Sequence, residues 1–165
     1  MNYFVYGLEH IYRDETHTAF KFLGYFDDME MLEKSKIIAL ELPGFSTYPD
    51  GMVTRKYELN KIHWRNGFDG VVGEIGRDYL HKEDIITEKS KSIKELNLEY
   101  IFQVSHACTI DTYLDDERTL GVFLNEYKAN DVVNNCKKMM GFKDYPDDFI
   151  IGRFTLNNLL WTSGF

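Results

Sequence analysis

The chain has 165 residues and a formal net charge of −8, and its 44% hydrophobic and 15% aromatic content supports a packed core and excludes a disordered chain. No apolar run reaches the roughly 18 residues of a membrane span, and the start MNYFVYGLEH lacks the basic-then-apolar order of a secretory signal. No Lys/Arg cluster offers the phosphate-tracking surface of direct nucleic-acid binding, so we expect a cytoplasmic protein without membrane or nucleic-acid partners, whose acidic balance steers basic proteins.

YFVYGLEH (3–10) is rich in β-branched and aromatic residues and predicts a strand. A polar stretch, RDETHT, leads to a second strand, FKFLGYF (20–26), and an antiparallel hairpin is the simplest pairing. DDMEMLEKSKIIALEL (27–42) predicts a helix with Asp28 as N-cap, Met29, Leu32, Ala39 and Leu42 on one face, and Gly44 as its stop. Tyr48-Pro49-Asp50-Gly51 fits a type I turn, and MVTRKYEL (52–59) a third strand. Trp64, Gly67 and Phe68 close this stretch and read as an aromatic lid on the core. Residues 69–98 form a connector, of which EDIITEKSKSIKELNL predicts a helix carrying Ile85, Ile86, Ile93 and Leu96.

The same order then returns. YIFQVSH (100–106) predicts a strand, TIDTYLDDE (109–117) a polar loop, and RTLGVF (118–123) a second strand. NEYKANDVVNNCKKMM (125–140) predicts a helix capped by Asn125, with Ala129, Val132, Val133, Cys136, Met139 and Met140 inward, stopped by Gly141. FIIGRFTL (149–156) is the third strand. GFSTYPDG (44–51) recurs as GFKDYPDD (141–148), and KYELNKIHWRNGF (56–68) as RFTLNNLLWTSGF (153–165), both at an offset of 97. The chain is a tandem duplication: a first repeat over 1–68, a partly helical connector over 69–98, and a second repeat over 99–165. The fold class expected is α+β, as two β-β-α-β units packed with pseudo-twofold symmetry.

The stretch LPGFSTYPDGMVTRKYELNKIHWRNGF resembles a small bacterial domain family of unknown function. Its members carry a strand with a His, then LPGF, YPDGF and a HWTEGF-like end. The first repeat matches from Tyr3 to Phe68, whereas the second has Met140 for Pro43, Asp148 for Gly51, Leu160 for His63 and Ser163 for Asn66. The resemblance assigns no chemistry. It implies a setting like that of small immunity-like proteins in bacterial toxin systems.

Five histidines, His10, His17, His63, His81 and His106, form no HExxH or HxH pattern, and no CxxC occurs, so no metal or other cofactor is expected. Walker, GxGxxG and GxSxG signatures are missing as well. Cys108 and Cys136 lie only in the second repeat, which argues for reduced thiols, with Cys136 in the core. His10 and His106 occupy matching strand positions and read as hydrogen-bonded strand histidines. Two alternatives stand beside the main reading: a hydrolase-like site between the repeats using these histidines, and a self-assembling module. The main expectation is a non-catalytic acidic binding protein, an immunity protein or antitoxin that occludes a basic toxin such as a nuclease. Its expected partner-binding residues are Asp111, Asp115, Asp116, Glu117, Asp144, Asp147 and Asp148, with Tyr113 and Tyr145 as aromatic anchors.

Overall fold

A computed structural model describes residues 1–16, 18–63, 89–111 and 114–164, with backbone alone for 108–111 and 114–116. The fold is α+β, with two antiparallel sheets that each carry a helix. In the first, β1 (Tyr3–Arg13) lies between β2 (Thr18–Phe26) and β3 (Met52–Glu58), in the order β2-β1-β3. In the second, β5 (Tyr100–Asp111) lies between β6 (Leu114–Phe123) and β7 (Phe149–Thr155), in the order β6-β5-β7. Helix α1 (Met29–Leu40) follows β2, and α2 (Glu126–Cys136) follows β6. Each repeat is therefore β-β-α-β, as its hydrophobic pattern and turn residues predict.

Both helices start where a short polar side chain captures an orphan amide. Asp28 accepts from the Met31 amide at 2.8 Å, and Asn125 from the Lys128 amide at 3.0 Å. Lys94 pairs with Asp28 and, together with that amide bond, holds its carboxyl below the usual range. The buried face of α1 is Leu32, Ser35 and Ala39, while Met29 turns outward. That of α2 is Ala129, Val133 and Cys136. α2 ends four residues earlier than its pattern suggests, because Lys138 and Met139 donate to the carbonyls of Asn135 and Cys136 in a tighter, three-residue winding. Met140 consequently leaves the core and is 71% exposed.

The polar loop expected over 109–117 is largely strand. The β5–β6 ladder passes a bulge and continues through Thr109↔Asp115 to Asp111↔Leu114. The described part of the connector also departs from expectation. It forms a short strand, β4 (Lys91–Ser92), parallel to β1, then a 3-10 turn over Ile93–Leu96 that ends at Asn97 with φ 47°. Ser92 caps that turn, Ile93 is buried, and residues 83–88 lie outside the described ones.

The chain forms two compact units, and their membership is informative. One takes residues 1–58, the connector from 89 to 100, and the tail 154–164. The other takes 59–63 and 101–153. The stretch after β3 thus belongs with β5–β7, and the stretch after β7 with β1–β3. In the first unit Leu8, Leu23, Phe26, Leu32 and Phe45 form the centre, and Leu159 of the tail packs on it. In the second, Val104, Leu120, Phe123, Val133 and Phe142 do so, with Ile62 packed on them.

The two tails dock in the same way. Asn157 donates its amide to the Tyr25 carbonyl at 2.8 Å, and Leu160 to that of Leu23 at 2.9 Å. Asn60 and His63 make the matching bonds to Val122, at 2.8 Å, and Leu120, at 2.6 Å. Asn157 and Asn60 both have φ 60°, a left-handed conformation that Asn tolerates better than most residues. Their side-chain oxygens accept from the amides of Asp27 and Leu124, each at 3.1 Å. The repeated Leu-Asn pair is thereby explained. Of the repeated aromatic lid, Trp161 donates to the Phe22 carbonyl at 2.7 Å and lies under the Lys21 ammonium, 4.3 Å from its ring centre. Trp64, Gly67 and Phe68 lie outside the described residues.

Candidate functional site

The repeats share their inner surfaces and differ on the turn between helix and third strand. In both, that turn is pinned from within. His10 is buried and donates from Nε2 to the Tyr48 carbonyl at 2.7 Å, its ring edge-on to Phe45. His106 is equally buried and donates to the Tyr145 carbonyl at 2.9 Å, its ring against Phe142 and Phe149. Both are hydrogen-bonded strand histidines, as the sequence suggests, and the structure adds that they hold matching turns. Gly51 and Asp148 close these turns onto Tyr48 and Tyr145, at 3.1 and 3.4 Å. Among the described residues, no three His, Cys, Asp or Glu side chains gather as a metal site requires.

Burial pushes the His106 imidazole below its ordinary range, against the smaller opposing effects of the Tyr145 carbonyl and the Asp148 carboxylate. The neutral ring is the folded form. As pH falls below about 6.5, the unfolded chain takes up the proton first. Stability present above that pH is then lost as the pH approaches the lower folded value. We expect the denaturant midpoint to fall between pH 7.5 and 5.5, and to fall less in His106→Gln. Equal slopes in the two proteins would refute the assignment.

The outward sides of the two turns differ in charge. The first repeat carries Thr47, Asp50 and Gly51 where the second carries Asp144, Asp147 and Asp148. Asp144 and Asp147 are exposed, Asp148 is half-buried, and Tyr145 is 43% exposed between them. Met140, three residues before this turn, is exposed as well.

The sheet brings further acidic residues to the same end. The Ala107 amide donates to the Asp148 carbonyl at 2.9 Å, and Ala107 pairs across the ladder with Glu117. Asp148, Ala107 and Glu117 thus form a row across three chain segments. Glu117 is exposed and accepts from the Ser105 hydroxyl at 2.7 Å. Asp116 and Asp115 occupy the next β6 positions, opposite Cys108 and Thr109, and Asp111 ends β5 opposite Leu114. Eight of the nine expected partner-binding residues, Tyr145 included, therefore share one end of the second unit's backbone. Tyr113 lies outside the described residues.

Sequence reasoning missed a buried ionic cluster in the first unit. Arg55 on β3 donates from Nε to Glu9 of β1 at 2.9 Å, with both side chains almost covered. Tyr57 donates to the other Glu9 oxygen at 3.2 Å. Burial, reinforced by the Glu9 charge, raises the Tyr57 and Tyr25 phenols well above their usual range, so both stay protonated. The second repeat has Ser105 and Gly152 at the positions of Glu9 and Arg55, so this cluster has no counterpart there.

The chain matches no known protein-family model, no curated protein and no solved structure. Among the described residues no helix is long and apolar enough to cross a membrane.

Proposed function

We propose that this chain is a non-catalytic binding protein whose second unit presents an acidic surface to a basic protein partner. In its specific form it is a cytoplasmic immunity protein or antitoxin that covers the working surface of a basic toxin, such as a nuclease. The observation that carries this reading is the Lys143–Asp148 turn. It is fixed from within by His106 and Ala107, and it leaves Asp144, Tyr145 and Asp147 exposed. An exposed aromatic flanked in sequence by carboxylates on a hydrogen-bonded turn suits a basic partner: the ring supplies buried area, and the charges speed encounter. The difference between repeats supports it further, since the first turn keeps the support and lacks two of the three carboxylates. The expectation drawn from the first repeat's motifs, a setting like that of small immunity-like proteins, agrees with this reading.

The test is capture of a tagged chain from its own host, read by native mass spectrometry, beside Asp144→Lys/Asp147→Lys. The wild-type chain should retain a stoichiometric basic polypeptide whose association slows as salt rises. The double variant, altered only at exposed positions, should keep its stability within about 0.5 kcal/mol and bind at least ~10-fold more weakly. A partner held equally well by the variant, or with no dependence on salt, would sink the reading.

A further inference from the structure

The docking of the two tails has a consequence for assembly that does not depend on the acidic surface. The edge of β2 is a built receptor for the tail. The carbonyls of Leu23 and Tyr25 accept from the tail backbone, and the Asp27 amide donates to the Asn157 side chain. The Phe22 carbonyl accepts from Trp161, and Lys21 reaches the Gly164 carbonyl at 3.0 Å. Gly24 leaves the space that the Asn158 carbonyl fills. None of these groups requires the tail to belong to the same chain. The second unit uses the corresponding groups, the Leu120 and Val122 carbonyls, the Leu124 amide and the space beside Gly121, for a tail of different sequence around a shared Leu-Asn.

We propose that the 156–164 tail of one copy docks in the β2 groove of a second copy, giving a tail-exchanged dimer. Each groove is then filled as it is in the monomer, with its hydrogen bonds unchanged. The monomer is favoured in dilute solution, because a covalently attached tail competes at an effective concentration on the order of millimolar. Exchange of an identical element between copies is a low-cost route to a dimer. It should emerge when chains fold together at concentrations approaching that value.

The test begins with the wild-type chain. Equal amounts of 14N- and 15N-labelled protein are unfolded, mixed and refolded at about 1 mM, then diluted and weighed by native mass spectrometry. We expect dimers of light, mixed and heavy mass in a 1:2:1 pattern. A single monomer mass for each label would overturn the proposal. Two variants then place the contact. Gly24→Val closes the groove, and Asn157→Pro removes the amide and the side-chain oxygen of the tail. Neither should dimerise alone, whereas the two refolded together should give a heterodimer, with one intact tail in one intact groove. Dimers formed by each variant alone at the wild-type level would show that another surface is used, and would equally overturn it.

Discussion

Glu9→Ala is expected to destabilise the protein by about 3–5 kcal/mol, the range for removing one partner of a buried ion pair. Arg55 and Tyr57 each lose the Glu9 oxygen to which they donate, with the Arg55 side chain almost covered. A covered charge is costly to keep out of water, so losing the carboxylate that faces it costs more than the pair contributed over an apolar one. The same logic fixes the control. Replacing both partners by apolar residues of similar volume, as in Glu9→Leu/Arg55→Met, should recover most of the loss. Urea denaturation of the three proteins decides the matter. A single variant within 1 kcal/mol of wild type, or a double variant worse than the single, would contradict the assignment.

Gly24→Ala and Gly121→Ala should each cost about 3 kcal/mol, at the upper end for overpacking, because the obstacle is backbone. A Cβ at Gly24 would collide with the Asn158 carbonyl oxygen, and one at Gly121 with that of Lys61. Gly24 also has φ 152°, a conformation that side-chain-bearing residues rarely adopt. Both glycines follow a β-bulge at Leu23 and Leu120, whose carbonyls receive the tails. The obstacle is the tail, so neither alanine can be absorbed by a side-chain rotation. Thermal unfolding of the two variants should show losses of similar size. Indifference to either alanine would mean that the tail does not approach the strand as described.

Much of this fold is legible in the sequence because the decisive residues are local. Asp28 and Asn125 stand where an amide needs an acceptor, and Gly44 and Gly141, both at φ 87°, mark where the chain must turn left-handed. The acidic residues of the second turn were visible for the same reason, since surface charge follows directly from composition. What escaped depends on distant pairing. β4 exists because Lys91 and Ser92 pair with Tyr3 and Phe4, and nothing within 83–98 announces that edge. Glu9 and Arg55 meet diagonally across the β1–β3 ladder, so their pairing follows only once that register is known. The tails were hardest. A repeated Leu-Asn followed by an aromatic lid has the same pattern whether it closes its own repeat or the other one. The available signal was the pair of glycines at 24 and 121, which mark a close backbone approach without naming what approaches.

Each unit is completed by the stretch following the other repeat's last strand. Native-state hydrogen exchange followed by NMR tests it directly, at the amides of Asn60, His63, Asn157 and Leu160. Their acceptors are the carbonyls of Val122, Leu120, Tyr25 and Leu23. If the tails are integral, these four amides exchange as slowly as those of β1 and β5, through opening of a whole unit. Exchange at the rate of a frayed terminus, with the strands still protected, would contradict it.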